Sequence, residues 1–269
     1  MEDKDKICYL CVDEMAIKKN LFYKYIADEA VGLEDNGVQK NQFQLALQQY
    51  GINSKWKQVV CYTLSGTSIS ASDVKDLLEK LIEQLTNIGL DVVALVSNMG
   101  SNFIQLSKLL GVTTDNSYVE IGNKKLLYYF DPCHLMKAAR NNLINNNFHW
   151  DTYRASWEDI QNFYEKDKVK LNRMAPKLSA AHLAPTNFQK MNVSLAAQTL
   201  SNTVALGIDN HIYFHSLPDE AAGTVQFIRN FDKLFNIFNA RNRNPTSKLD
   251  YAFSQDESQN EFLTATKEF

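Results

Sequence analysis

Three short apolar runs, Ile7 to Val12, Asp91 to Ser97 and Leu126 to Phe130, are rich in strand-forming residues, and each is followed at its carboxyl end by acidic or polar residues. Runs of this length bounded by turn residues read as buried strands rather than helices. The second is followed by a helical pattern from Phe103 to Leu110 closed by Gly111, the third by Asp131-Pro132 and a helical pattern from His134 to Leu143. Ahead of the second run, Ser72 offers an N-cap, and Val74, Leu77, Leu78, Leu81, Leu85 and Ile88 fall on one helical face before Gly89 ends it. Serine caps the orphan N–H groups of a first turn, and glycine adopts the left-handed conformation that closes a last one. Strands alternating with helices commit the chain to an α/β sheet with helices packed on it.

Two further stretches, Leu21 to Asp28 and Gln58 to Leu64, read as strands that extend this sheet, with Gly32 to Gly37 as a loop between them. Three strands, a helix, then strand, helix, strand and helix is the order of an RNase H-like domain, whose sheet brings carboxylates together at neighbouring strand ends. Ile7 to Val12 delivers Asp13 and Glu14 at such an end. From about Ile144 the strand signals stop, and Trp157 to Asp167, Ser194 to Ala205 and Thr224 to Asn239 read as helices. Residues 1–143 are therefore expected to form the mixed-sheet domain and 144–269 a mostly helical one. In the last helix Val225, Ile228, Phe231, Leu234, Phe235 and Phe238 form a wide apolar stripe suited to a core, with Arg241 and Arg243 at or just past its end, where cations favour the helix dipole.

Charge and cysteine content narrow the function classes. With 28 basic and 31 acidic residues the chain has no bulk positive field, so any DNA contact is local. No apolar run is long enough to span a bilayer and no signal peptide opens the chain, which with four cysteines fits a reducing compartment. Cys8 and Cys11 form a CxxC, but no second ligand pair follows at a zinc spacing, so two thiols in a strand is the preferred reading. His134, Lys137 and Arg140, at i, i+3 and i+6, fit either a helix face turned to a phosphate backbone or a plain solvated one. The group Lys166, Lys168, Lys170, Arg173 and Lys177, interrupted by Asp167, reads as ordinary surface. No GxxxxGK[ST] loop is present to cradle phosphates.

Several segments in one order carry a more specific message. Val12-Asp13-Glu14-Met15, Gly32-Leu33-Glu34-Asp35, Val96-Ser97-Asn98-Met99-Gly100-Ser101-Asn102 and Asp131-Pro132-Cys133-His134-Leu135-Met136-Lys137 are followed by Phe188-Gln189-Lys190-Met191-Asn192-Val193, Leu200-Ser201-Asn202 and Phe231-Asp232-Lys233-Leu234-Phe235-Asn236-Ile237-Phe238-Asn239. Together they resemble the P-element-type DNA transposases and their THAP-domain relatives, and the match covers nearly the whole chain. The resemblance implies an RNase H-like core interrupted by a helical insertion that binds GTP, action on transposon-end DNA in the nucleus, a homo-oligomer as a possible assembly, and no membrane. It places a zinc-dependent THAP module ahead of Met1 and the rest of the core beyond Phe269.

The same resemblance assigns site residues. Asp13 matches the first catalytic aspartate, and the second falls at Asn98, an amide where the family carries a carboxylate. The third acidic residue lies beyond the insertion and has no counterpart in this sequence. Two divalent ions about 4 Å apart need several anionic oxygens. Mg²⁺ binding at Asp13 is therefore expected to be weakened or lost and the chain alone to be inactive. Glu14 and Asp131 are substitutes to weigh: strand alternation turns Glu14 to the opposite face, and for Asp131 the favoured reading is a cap on the following turn. For GTP, resemblance points to Lys190, Asn192, Val193, Ser201, Asn236 and Asn239, with asparagines where the family has a lysine before the valine and a guanine-reading aspartate. The reading is thus an impaired P-element-like transposase core fragment. The alternative is a domesticated, non-enzymatic DNA-, nucleotide- or protein-binding module.

Overall fold

The computed structural model describes residues 3–17, 22–24, 29–31, 42–52, 56–65, 68–239 and 257–267. The expected loop Gly32–Gly37, Arg241 and Arg243 lie outside the described residues. The chain divides into two compact units, Met1–Asp131 and Pro132–Phe269. The division falls ahead of the expected 143/144 boundary, because the helix after Asp131-Pro132 packs with the helices that follow it.

The first unit is built on β1 (Ile7–Ile17), β2 (Phe22–Lys24), β3 (Glu29–Val31), β4 (Gln42–Gly51), β5 (Lys57–Ser65), α1 (Ala71–Asn87), β6 (Asp91–Ser97), α2 (Ser101–Leu109), β7 (Tyr118–Ile121) and β8 (Lys124–Phe130). Six strands form one mixed sheet in the order β5-β4-β1-β6-β8-β7. β1 runs antiparallel to β4 and parallel to β6, and β6 runs parallel to β8. This is the RNase H-like architecture expected, with one correction. The strand beside β1 is β4 and not the Leu21–Asp28 stretch, whose described part, β2, pairs with β3 in a separate two-stranded sheet. β4 is masked in the sequence by its glutamines. Leu45, Leu47 and Gln49 alternate into the core, and buried Gln49 donates to the Cys8 thiol at 2.7 Å.

One face of the sheet, with Cys8, Leu10, Val12, Leu45, Leu47 and Leu95, packs against Val74, Leu78 and Leu81 of α1 and Phe103 and Leu106 of α2. Each such side chain taken wholly out of water contributes roughly 1.5–3 kcal/mol. The N-cap of α1 lies two residues before the expected Ser72: Ser70 caps the helix and accepts the Asp73 N–H at 3.1 Å. Gly89 and Gly111 end α1 and α2 with φ of 85° and 74°, as their sequence positions indicate. The other face carries Tyr9 stacked on Tyr50 with centroids 5.0 Å apart, together with Cys11. Cys8 and Cys11 therefore point to opposite faces of one strand and cannot chelate one ion.

The second unit contains α3 (Pro132–Asn145), a hairpin of β9 (Phe148–Trp150) and β10 (Tyr153–Ala155) that the sequence did not suggest, then α4 (Trp157–Asp167), α5 (Ala180–Leu183), α6 (Asn187–Lys190), α7 (Val193–Thr199), α8 (Asn202–Tyr213), α9 (Ala222–Asn239) and α10 (Glu257–Lys267). The expected helix 194–205 is two helices, broken at Leu200-Ser201. Phe163 of α4 lies fully buried among Val204 and Ile208 of α8 and Val225 and Ile228 of α9. It lies so close to α8 that a Cβ on Gly207 would meet its ring at 2.3 Å. Within this core Thr224 donates to Asp159 at 2.5 Å and accepts the Ser156 N–H at 3.0 Å. No helix of the described residues is long and apolar enough to cross a membrane.

Candidate active site and nucleotide cavity

β1 and β6 are parallel neighbours with Val12 opposite Ser97, so the next residues, Asp13 and Asn98, emerge side by side at their carboxyl ends. Because Leu10 and Val12 face the core, alternation turns Cys11 and Asp13 to the other face. The two side chains meet: Asn98 Nδ2 donates to Asp13 Oδ1 at 2.5 Å. The amide cannot turn over, because its Oδ1 accepts the Gly100 N–H at 2.7 Å, ahead of α2. A flipped amide would set its NH₂ against that N–H. Ser97 anchors this strand end, sharing a 2.7 Å hydrogen bond with the buried Tyr128 hydroxyl.

Glu14 faces away. Its carboxylate accepts from Asn102 Nδ2 at 2.7 Å, from Ser68 Oγ at 3.1 Å and from the Ile69 N–H at 3.1 Å, tying the approaches to α1 and α2 together. Asp131 stands on the far side of Asn98: Ser97 pairs with Phe130, and the Asp131 N–H donates to Ser97 O at 2.8 Å. Asp13, Asn98 and Asp131 thus occupy three neighbouring strand ends, the two acids about two strand spacings, or roughly 10 Å, apart. Cys11 registers this field: burial, then the charges of Asp131 and Asp13, push its thiol up to about 11. Among the described residues no group of three or more His, Cys, Asp or Glu side chains is placed to hold a metal. The donor set does not fit a pair of hard cations, since the position between the two acids presents N–H to Asp13 where an ion needs an oxygen.

In the second unit a cavity of about 430 Å³ opens between α7, the start of α8, α9 and the segment 175–178. That is within the usual range for small-molecule sites, roughly 300–1,000 Å³. Ser201 and Asn236, two of the expected nucleotide contacts, line it, together with two residues that the sequence reading did not assign to it, Lys177 and Asp232. Asp232 lies one helical turn before Asn236 on α9, and the i, i+4 spacing was the available signal. Asn236 Nδ2 donates to Asp232 Oδ2 at 3.2 Å, and the backbone N–H of Asn202 donates to the same carboxylate. Burial outweighs that bond and holds the Asp232 carboxyl above its ordinary range.

The other expected contacts are elsewhere. Asn192 caps α7 through Leu195 N–H at 3.3 Å, Lys190 and Val193 flank that cap, and exposed Asn239 lies 4.0 Å from the Cys133 thiol. None of these four lines the cavity. Arg140 is a correction. It is wholly buried with Met136, Ala139 and Leu143 on the packed side of α3, and its Nη2 donates to Lys190 O at 3.0 Å. It therefore does not share an outward face with His134 and Lys137, both of which are half-buried. Burial lowers the Arg140 pKa, and its Nη1 has no hydrogen-bond partner among the described residues. The basic group 166–177 is dispersed: Arg173 pairs with buried Asp167 at 3.3 Å, Lys168 with Glu165, Lys170 with His211, and Lys177 reaches the cavity.

Comparison with known proteins gives these features a setting. Residues 1–111 match the family described as TNP-like, RNase H N-terminal domain, and residues 133–250 the one described as TNP-like, GTP-binding insertion domain. The chain is 25% identical over 252 residues to the human DNA transposase THAP9, covering 87% of this chain and 28% of the relative. It is 26% identical over 244 residues to the Drosophila melanogaster transposable element P transposase, covering 90% of this chain and 31% of the relative. The chain spans less than a third of the length of either. In fold it is similar to a chain of the Drosophila P element transposase strand transfer complex, with a TM-score of 0.79 at 24% identity over 98% of this chain and 58% of that one.

Proposed function

Since this chain belongs to the TNP-like family of P-element-type transposases, with that family's RNase H N-terminal and GTP-binding insertion domains in series, we propose that it is a transposase core segment acting on transposon-end DNA in the nucleus, that it retains the fold, and that it has lost the anionic cradle for strand cleavage. The observation that carries this reading is the 2.5 Å contact from the Asn98 amide to Asp13, with the far side of the amide fixed by Gly100. Position 98 contributes neither negative charge nor an oxygen toward Asp13. Mg²⁺ keeps much of its water shell and relies on carboxylates for the remainder. One exposed aspartate with a neutral donor beside it is a weak site for one ion and a poor one for two. On this reading Glu14 is a structural tie, and Asp131 is too far across the strand ends to share an ion with Asp13.

The nucleotide function is supported separately. The cavity of the second unit combines one cation, Lys177, to meet phosphate, hydroxyls on Ser194, Ser201 and Thr203 for ribose or phosphate, and a polar pair, Asp232 and Asn236. This chemistry suits a nucleoside triphosphate such as GTP without a P-loop. His134 and Lys137 of α3 are the remaining candidates for contact with a DNA backbone.

The test is direct. The 269-residue chain, incubated with supercoiled plasmid and Mg²⁺ or Mn²⁺, is expected to nick DNA no faster than buffer. Metal-dependent nicking that disappears in Asp13→Ala would overturn the claim of impairment.

A further inference from the structure

We infer that Asp232, with Asn236 one helical turn on, reads the Watson–Crick edge of a guanine base in the cavity of the second unit. This rests on the nucleotide reading proposed above and assigns the base-selecting role to a residue of this chain that neither the family resemblance nor the motif pattern marked.

Asp232 lies in the cavity wall with limited hydrogen bonding: the Asn202 N–H and one N–H of Asn236 donate to it, and no ion pair joins it among the described residues. An ionised carboxylate has about four lone-pair directions, so two of them remain for a ligand. Guanine presents adjacent N1–H and N2–H donors that suit such a carboxylate. Asn236 Nδ2 carries a second hydrogen beyond the one it donates to Asp232, and guanine O6 needs such a donor. Adenine presents the reverse order, an acceptor at N1 that would face the carboxylate lone pairs. The asparagine at 236 therefore does not leave the base unread: the carboxylate function is supplied four residues earlier on the same face of α9, and the amide both holds that carboxylate and covers the carbonyl.

The experiment is competition against a fluorescent N-methylanthraniloyl GTP bound to the 269-residue chain, using GTP, ITP, XTP and ATP. ITP lacks the N2 amine and so loses one charge-assisted hydrogen bond, and it is expected to compete at least about ten-fold less well than GTP. Asp232→Asn keeps an oxygen for the Asn202 N–H but offers the base one acceptor and one donor. That set matches the N1–H and O2 of xanthine, so the GTP-over-XTP preference is expected to reverse. Equal competition by GTP and ITP in the parent chain, or an Asp232→Asn protein with unchanged circular dichroism and an unchanged GTP-to-XTP ratio, overturns the inference while leaving GTP binding in place. If Asp232→Asn does not fold, the parent GTP-to-ITP ratio decides. Absence of binding by any of the triphosphates refutes both the inference and the nucleotide reading beneath it.

Discussion

Asn98→Asp supplies, with the smallest possible change, the negative charge that the proposed reading takes to be missing, and its consequences can be worked from the contacts around it. The new carboxylate keeps an oxygen for the Gly100 N–H, so the entry to α2 is preserved. Its second oxygen replaces the amide nitrogen 2.5 Å from Asp13 Oδ1, turning a donated hydrogen bond into a like-charge contact. Relaxed to about 4 Å, two unit charges repel by roughly 1 kcal/mol in water and about 4 kcal/mol at an effective dielectric constant of 20. Asp13 is exposed and Asn98 half-buried, which places the cost toward the lower end. Adding the lost hydrogen bond, worth about 1 kcal/mol at such a site, the first unit is expected to lose roughly 2 kcal/mol at pH 7.5, or about 5–10 °C in Tm. Two consequences separate this from a generic defect. Between two crowded carboxyls one titrates high, so the penalty is present above that raised pKa and shrinks as the pH falls toward 5. Mn²⁺ binds the folded pair and not the unfolded chain, and at a hundred-fold excess over Kd it returns about 2.7 kcal/mol. Differential scanning fluorimetry of parent and variant, with and without Mn²⁺, reads both effects. An Asn98→Asp melt equal to the parent, or Mn²⁺ raising both proteins alike, would refute the claim that the two side chains form one cation pocket.

Two further predictions concern the second unit. A Cβ at Gly223 would lie 2.3 Å from the Arg154 carbonyl oxygen and 2.8 Å from its nitrogen, backbone atoms that cannot rotate away; Gly223→Ala is therefore expected to cost about 3 kcal/mol, beyond any gain in helix propensity, and an unchanged urea midpoint would contradict that packing. Buried His211 has its pKa lowered by desolvation and by Lys170, whose Nζ lies 2.7 Å from Nε2, with Lys166 adding to the effect, Asp167 opposing it, Ser216 on Nδ1 and the Phe163 ring edge-on. The unfolded imidazole takes a proton near pH 6.5 while the folded one resists it, so the unit loses stability as pH falls below about 6.5 and stops losing it below the folded value; melts at pH 7.5 and 5.5 should show the loss, and His211→Gln should flatten it.

The sequence was legible where one physical signal dominated. The alternation of Ile7–Val12 placed Asp13 at a strand end, and the heptad-like stripe from Val74 to Leu85 located α1. The sequence misled where tertiary packing overrode local preference. The Gln-rich β4 carries too little strand propensity to be recognised, and becomes a strand because Leu45, Leu47 and Gln49 are buried beside β1. Arg140, spaced to suit a phosphate backbone, falls instead on the side of α3 that must be buried, where carbonyls at 189 and 190 hold its guanidinium. Asp232 went unassigned because a lone acid on a largely apolar helix looks like surface until a cavity is seen beside it. Least legible was the direction of an amide. An asparagine at 98 is compatible, on paper, with an oxygen offered to a cation, and only the Gly100 N–H decides that the NH₂ faces Asp13 instead. On the reading proposed above, an asparagine at 98 therefore does more than remove a charge: it places a donor beside Asp13 and satisfies that carboxylate with it, so a cation there would have to displace a hydrogen bond as well as do without a second carboxylate.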